Sequence, residues 1–448
     1  MAEFPVACKK LEFEKIIHRI TQLAGSEPGR DIVRSISPGT DPVSITAELA
    51  RVSEMKELLV AEHQLPLDGI KNITGALRKT TVENQILTVQ ELLDVGSTLR
   101  AGRSVQGFLG KRRSQYPRLA EFLPFLFSDK VLEFNLFDAL DESGIVKDSA
   151  SKELQTIRKD SIAVSEQLRK RLAAILRQVS EQDLLQDEIV TTRDARMVIP
   201  VKTEYKHRVP GFIHSSSASG ATVFIEPAET LDLNNALREL QIRKQREIDR
   251  ILRELARQVG EVREPLARNA RALADLDALC AKGRYSIEIL GSFPIIVSEN
   301  RINLLDARHP ILLQTHGREN VVPLNIEFGR EVGTLIITGP NAGGKSVALK
   351  TVGLSCLCIQ SGIHIAASPD SEFPIFRSIF VDMGDDQSIE NDLSTFSSHL
   401  VNLKTIIDGA DNHSLVLLDE IGAGTDPAEG GALGAAILME LTNRRCLT

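Results

Sequence analysis

A loop at residues 339–346 has the residue types and spacing needed to bind phosphate. Its sequence fits the P-loop pattern G-x-x-x-x-G-K-[ST], with these residues in order: Gly339, Pro340, Asn341, Ala342, Gly343, Gly344, Lys345 and Ser346. Glycines let backbone N–H groups close around an anion. Lys345 would reach the β- and γ-phosphates, and Ser346 would ligate Mg²⁺. The loop predicts a site for a nucleoside triphosphate and Mg²⁺.

A second segment, at residues 415–420, supplies carboxylates that suit the same chemistry. It is an apolar run that ends in Asp419 and Glu420, which is typical of a Walker B strand. Asp419 would hold Mg²⁺, and Glu420 would orient or deprotonate the attacking water. A P-loop followed by such a pair predicts triphosphate binding, and the glutamate favours hydrolysis.

The chemistry requires particular elements around these residues. The apolar run at 334–338 predicts a buried strand before the loop, and 347–354 predicts the start of a helix after it. From about residue 302 onward, strand patterns alternate with helix patterns, which favours a parallel sheet with crossover helices. We expect a P-loop ATPase domain of α/β type at 301–448, with a boundary near 300.

The rest of the chain is predicted to be mainly helical. Residues 1–150 and 261–300 carry apolar side chains at helical spacing and form a helical core. Residues 151–187 and 228–260 each predict one long helix, and together an antiparallel pair, or arm. The fold class is thus multidomain, with a helical core, a helical arm and an α/β domain.

Residues 188–227, between the arm helices, differ in composition. Runs of β-branched residues separated by turn signals predict a small β insert at the tip of the arm. Its basic residues are Arg193, Arg196, Lys202, Lys206 and Arg208, against the acids Asp194, Glu204 and Glu226. This mildly basic tip could contact a polyanion backbone, and a role in protein contacts remains open.

Composition limits the remaining functions. The 448 residues carry a net charge of −8, which argues against coating nucleic acid by charge alone. The chain has no tryptophan and 4% aromatic residues, so a base-stacking platform is not expected. Five cysteines show no metal-binding spacing, and we expect Cys356 and Cys358 to pack in the core. No signal segment or membrane span is evident, so we expect a cytoplasmic protein.

Three further segments complete a pattern. Residues 394–400, Ser-Thr-Phe-Ser-Ser-His-Leu, lie between the two Walker elements; 422–427, Gly-Ala-Gly-Thr-Asp-Pro, follow the second; and 308–310 are Arg-His-Pro. Together with the P-loop, they resemble the MutS ATPases. The similarity is greater to the second bacterial branch, the Smr-tailed MutS proteins, through Ser-Thr-Phe-Ser-Ser-His and through Gly-Asp-Asp-Gln-Ser-Ile-Glu at 384–390.

The resemblance implies an architecture and partners. The ATPase domains of two subunits would form a homodimer, with Ser394 and Ser397 of one subunit completing the partner's ATP site and Asp426 communicating across the interface. The arm and β insert would be a clamp for nucleic acid. Members of this branch are linked to branched DNA and recombination suppression, and to collided ribosomes. DNA (branched or duplex), the ribosome or both would therefore be the partner.

The resemblance also implies further segments beyond Thr448. Family members continue with a Thr-Thr-His switch, further strands, dimerising helices and a Smr nuclease domain. We expect a truncated form, whose hydrolysis could be impaired and to whose residues the nuclease activity is not carried over. The alternative function is a non-catalytic or SMC-like structural module that mediates dimerisation. Absence of ATP binding would favour that alternative.

Overall fold

The computed structural model describes residues 4–82, 85–185, 187, 189–340, 343–383, 392–422 and 426–448, with only the backbone for 392–398. The chain forms two compact units. The first comprises Met1–Asn72, Arg100–Ser128 and Arg268–Thr448, and the second comprises Ile73–Leu99 and Asp129–Ala267.

The N-terminal third is helical, as its apolar spacing predicts. The helices are α1 (Phe4–Lys10), α2 (Phe13–Leu23), α3 (Glu27–Arg34), α4 (Pro42–Glu62), α5 (Thr74–Lys79), α6 (Val89–Gly110) and α7 (Lys130–Ala139). Side-chain caps begin several of them. Ser26 accepts from the backbone N–H of Gly29 at 3.1 Å, and Asp41 accepts from that of Ser44 at 3.0 Å. Such caps satisfy donors that the first turn leaves unpaired.

Two long helices flank a four-stranded sheet in the second unit. The elements are α8 (Lys152–Ser180), β1 (Thr191–Arg193), β2 (Arg196–Lys202), β3 (Gly211–Ser216), β4 (Thr222–Pro227) and α9 (Leu231–Glu261). The sheet is antiparallel, with strand order β1-β2-β4-β3. Ile199 and Ile225 form a cross-strand pair and are buried in one cluster with Leu168 and Leu172 of α8. The predicted β insert is therefore present.

The first long helix is shorter than its sequence pattern predicts. We expected a helix over 151–187, but α8 ends at Ser180. Asp183 adopts a φ of 54°, which turns the chain. Leu184 and Leu185 then pack into the cluster under the sheet, and Leu184 accepts from the backbone N–H of Lys202 at 3.0 Å. The chain leaves the helix after Ser180, and Leu184 and Leu185 are buried against β2 instead of continuing α8.

The remaining elements complete the first unit, apart from α10, which begins in the second. They are α10 (Arg263–Glu288), β5 (Ile295–Ile296), β6 (Ile302–Ala307), α11 (Pro310–His316), β7 (Leu324–Phe328), α12 (Lys345–Gln360), β8 (Glu372–Phe373), β9 (Ser378–Asp382), α13 (Asp392–Gly409), β10 (Ser414–Leu418) and α14 (Pro427–Asn443). Short 3₁₀ turns occur at Leu119–Phe125, Asp148–Ala150, Thr203–Tyr205, Ala228–Thr230 and Arg318–Asn320. The helix predicted over 261–300 thus ends at Glu288, before β5.

The expected parallel sheet is only partly formed among the described residues. β9 and β10 are parallel, with Leu418 opposite Asp382. However, β6 runs antiparallel to both β7 and β8 in a separate sheet of order β5-β8-β6-β7. The prediction of a parallel pairing was wrong there. The seven-residue α11 rises only about 10 Å, which is too short to carry the chain back along β6 for a parallel crossover.

The strand predicted at 334–338 does not form. Leu335 donates its backbone N–H to the carbonyl of Thr448, and Thr448 donates to that of Gly333, both at 2.9 Å. Ile336 is 65% exposed rather than buried. Within the described residues, these are the two backbone hydrogen bonds between residues 333–338 and Thr448, so no ladder of hydrogen bonds extends along 334–338. A buried strand needs hydrogen-bonded neighbours along its length.

Two other predictions can be compared with the structure. Cys356 and Cys358 are buried in the core on α12, as expected, and burial raises the pKa of both thiols. Along the described parts of the chain, no helix is both long and apolar enough to cross a bilayer.

Candidate nucleotide-binding site

The loop at 339–346 joins the extended segment after β7 to helix α12. Gly339 and Gly344 have φ values of 149° and 82°, which side chains rarely tolerate. A Cβ at either position would meet no atom of the described residues within 4 Å, so there is open space beside both glycines. Gly343 donates its N–H to the carbonyl of Pro340 at 2.9 Å. Asn341 and Ala342 lie outside the described residues.

Lys345 is the first residue of α12, and its ammonium group lies across the loop. Its Nζ donates to the carbonyl oxygens of Gly339 at 2.8 Å and Pro340 at 3.1 Å. The side chain thus reaches the part of the loop where phosphate oxygens would bind. A phosphate oxygen carries negative charge, so it would be a stronger acceptor for this ammonium group than a neutral carbonyl oxygen is.

Ser346 and Asp419 are directly hydrogen-bonded. Ser346 Oγ donates to Asp419 Oδ2 at 2.5 Å, although the residues are 73 positions apart. Asp419 follows β10 and donates its backbone N–H to the carbonyl of Asp382, the last residue of β9, at 2.8 Å. The parallel pairing of β9 and β10 therefore fixes where this carboxylate lies. The structure brings together the two predicted Mg²⁺ ligands.

Close packing holds α12 beside β10. Gly353 faces Leu11 and Leu417, and a Cβ added there would lie 2.6 Å from a methyl carbon of each. Only glycine permits this approach without displacing a neighbour. The hydroxyl of Ser346, the second residue of α12, is thereby kept within reach of Asp419.

Glu420 lies beside these groups in a strained conformation. It is exposed, with a φ of 50°, a left-handed conformation uncommon for a residue with a side chain. Glu420, Asp419 and Lys345 all line one cavity of about 300 Å³, whose other walls are mainly apolar side chains of α12, β10, β7 and the run at 335–337. The carboxylate is thus next to the loop without being bound into the Ser346–Asp419 pair.

The remaining predicted site residues differ in what the structure shows. Ser394 and Ser397 lie in the first turns of α13, and their side chains are outside the described residues. Asp426 is exposed and caps α14, accepting from the backbone N–H of Ala428 at 2.9 Å. The cap is a role that sequence reasoning did not assign to Asp426. The Gly-Asp-Asp-Gln-Ser-Ile-Glu segment at 384–390 and Thr425 lie outside the described residues.

A buried carboxylate beside the site was missed in the sequence. Asp382 is 5% exposed and accepts from Asn402 Nδ2 at 2.7 Å and from His399 Nδ1 at 3.1 Å. Lys10 Nζ lies 3.4 Å from the same carboxylate. The apolar run before Asp382 resembles the run before Asp419, and that similarity could have indicated a carboxylate at the same sheet edge.

The Arg-His-Pro segment begins α11. Arg308 forms an ion pair with Asp306 at 2.7 Å. His309 is buried, and burial lowers its pKa to about 4, so its ring is neutral at neutral pH. Its Nδ1 has no hydrogen-bond partner among the described residues.

Comparison with known proteins links this geometry to a family. Residues 335–448 match the family described as MutS domain V. The proteins named Endonuclease MutS2 from Pelotomaculum thermopropionicum and Geobacillus thermodenitrificans are 43% and 40% identical over 435 and 441 residues. Those alignments cover 97% and 98% of this chain, and 55% and 56% of the two relatives.

The chain therefore spans a little over half the length of the curated relatives it matches. The similarity extends over nearly the whole chain, the helical regions and the β insert included, and not only over the P-loop region. The family resemblance inferred from the motifs is confirmed: the chain is similar to the MutS2 proteins of the MutS family over nearly its whole length.

Proposed function

We propose that this chain is a MutS-type ATPase that clamps nucleic acid. ATP with Mg²⁺ would bind at 339–346, with Lys345 on the β- and γ-phosphates. The observation that carries the proposal is the 2.5 Å hydrogen bond between Ser346 and Asp419. It joins the Walker A hydroxyl to the Walker B carboxylate, although each belongs to a different element.

The donor set fits the proposed ligand. A hydroxyl and a carboxylate are the hard oxygen ligands that Mg²⁺ accepts, and its remaining positions would be taken by phosphate oxygens and water. When bound, the ion would neutralise charge that develops on the phosphates. The N-terminus of α12, preceded by Gly343 and Gly344, would direct backbone N–H groups and the positive end of the helix dipole toward an anion.

Glu420 is our candidate for orienting the attacking water. Its carboxylate lies one residue beyond Asp419 and forms no ion pair or hydrogen bond with any of the described residues. A carboxylate at the end of a strand can accept a proton from water while the preceding aspartate stays with the cation. Its strained backbone supports this role, because such strain is common at functional sites.

We also propose that the site is completed by a second subunit. Ser394 and Ser397, at the start of α13, would face the γ-phosphate held by the partner, and Asp426 would contact the partner across the interface. The family resemblance supports this arrangement, and so does the helix start, since N–H groups at a helix N-terminus bind anions.

The two long helices and the β insert of the second unit would form the clamp. The domain roles we propose are a helical core and lever at 1–150 and 261–300, arm helices at 151–187 and 228–260, a clamp tip at 188–227, and the ATPase domain at 301–448. At the tip, Arg193 and Arg208 are exposed, with their guanidinium carbons 4.2 Å and 5.5 Å from the ring centroids of Phe224 and Tyr205. Arginines held in this way can contact phosphates.

The polymer could be DNA, branched or duplex, or the RNA of a collided ribosome. Closure of the ATPase dimer would move the arms and couple nucleotide state to the grip on the polymer. The relatives are named as endonucleases, and we assign no nuclease role to residues of this chain.

Direct binding titrations test the proposed clamp. The full chain, with and without ATP, is titrated with branched DNA, linear duplex and stalled ribosomes across a range of salt concentrations. Replacing Arg193 and Arg208 with alanine should weaken binding and reduce the slope of log affinity against log salt by about one per lost phosphate contact. Arg171→Ala is a matched control, because this exposed arginine lies on α8 and pairs with Glu229. Equal loss in both variants, or no binding by the parent, would contradict the proposal.

A further inference from the structure

Asp382 connects three parts of the first unit at the edge of the candidate site. It is the last residue of β9, and its carbonyl accepts the backbone N–H of Asp419 at 2.8 Å. Its side chain is only 7% exposed. Any movement of this residue therefore bears directly on the backbone that carries the Walker B carboxylate.

The carboxylate of Asp382 is held mainly by α13. Asn402 Nδ2 donates to Oδ1 at 2.7 Å, and His399 Nδ1 lies 3.1 Å from Oδ2. These residues are three positions apart, so they occupy one face of the helix. A buried carboxylate needs such partners, because leaving it unpaired carries a large desolvation cost.

A third contact comes from the N-terminal helix. Lys10, at the end of α1, places Nζ 3.4 Å from Asp382 Oδ1, with its own side chain 32% exposed. The next part of the chain is also tied to the P-loop helix, because Glu12 accepts from Lys350 of α12 at 3.0 Å. The α1–α2 segment thus contacts α12 directly, through Glu12, and the Asp382 carboxylate that α13 also holds, through Lys10.

We propose that Asp382 is a positioning residue that fixes the orientation of α13 and relays the position of α1 to it. The proposal rests on the proposed function, in which Ser394 and Ser397 meet the partner's nucleotide. Ser394 precedes His399 by five positions, or about 7.5 Å along the helix axis. A tilt of roughly 10° at this anchor would shift the first turn by about 1 Å, and such a misplacement can lower a rate about 100-fold.

Hydrogen exchange on the nucleotide-free full chain tests the anchor itself. In Asp382→Asn, amides in the first half of α13 should exchange about tenfold faster, while those of α12 and β10 stay within about twofold. Asp408→Asn is the control, since this exposed aspartate lies on the same helix. An unchanged α13, or equal acceleration throughout the unit, would overturn the inference whatever the protein does with ATP.

Nucleotide-dependent self-association tests the functional consequence. Asp382→Asn should bind ATP within about threefold of the parent, because Lys345 and Ser346 are intact, but should associate about tenfold more weakly in its presence. Lys10→Met, which leaves the α13 contacts in place, should produce a smaller loss of the same kind. Unchanged association in both variants would contradict the inference. A parent that binds no ATP would contradict the proposed function instead.

Discussion

Replacing Glu226 with alanine should selectively destabilise the β insert of the second unit. Glu226 is 1% exposed at the end of β4, and its two oxygens contact Arg196 Nη1 and His214 Nε2, each at 2.6 Å. Arg196 also donates to Asn235 at 2.7 Å. The glutamate therefore joins β2, β3 and β4 at the point where α9 begins.

The expected cost follows from these contacts. Removing one partner of a buried ion pair typically costs about 3–5 kcal/mol, because the other charge stays buried. Here the lower end applies, since Arg196 keeps Asn235 as a partner and is 15% exposed. We expect a loss of about 3 kcal/mol, which corresponds to roughly a 100-fold change in the opening equilibrium.

Native-state hydrogen exchange of the amides in β2 and β4 measures this loss. In Glu226→Ala, they should exchange about 100-fold faster, while amides of the first unit are unaffected. Glu229→Ala is the matched control: its side chain is 56% exposed and pairs with the exposed Arg171, so its effect should stay below about 1 kcal/mol. Equal effects of the two substitutions, or a change below about threefold in Glu226→Ala, would refute the reasoning.

Three further predictions concern the first unit. Glu420→Ala should keep ATP affinity within a few-fold but lower kcat by about 10²- to 10⁴-fold, and hydrolysis at the parent's rate would exclude Glu420 as the base. Burial lowers the pKa of His309 and His364 from 6.5 to about 4, so between these values the unfolded chain binds protons that the folded chain does not. Stability present above pH 6.5 should therefore fall as the pH drops towards 4, by up to about 3 kcal/mol for each group, and a thermal midpoint that is constant from pH 7 to pH 4.5 would contradict this. Gly353→Ala places a methyl group 2.6 Å from two leucine side chains, so it should lower the free energy of unfolding by about 1–3 kcal/mol. The control Gly107→Ala, where the added methyl group meets open space, should raise it by up to about 1 kcal/mol. Thermal midpoints that shift in the same direction in both variants would be inconsistent with this packing.

Features set by local sequence were predictable. The helix after the P-loop, the strand β10 and the strands of the insert follow from apolar periodicity and turn residues within a few positions. The proximity of Ser346 and Asp419 could also be expected, since each follows a recognisable motif. Their roles in binding Mg²⁺ remain predictions.

Features set by distant packing were not predictable in the same way. The run at 334–338 has a strand's composition, but whether it forms a ladder depends on a neighbour more than a hundred positions away, Thr448. The early end of α8 depends on Leu184 and Leu185 finding a better burial site under β2. The contacts that Asp382 makes with Lys10 and α13 join three segments whose sequences give no sign of one another.

The central claim, that Ser346 and Asp419 hold Mg²⁺ for a bound nucleotide, is tested most directly by calorimetric titration of the full chain with ATP, with and without Mg²⁺. The parent should bind ATP at least about tenfold more tightly when Mg²⁺ is present, a difference of about 1.4 kcal/mol. Without Mg²⁺, Asp419→Asn should bind ATP as tightly as the parent does, but it should not gain affinity when Mg²⁺ is added. The control Asp370→Asn, at an exposed aspartate, should keep the tenfold gain. An increment that survives in Asp419→Asn, or a parent that binds no ATP, would contradict the account.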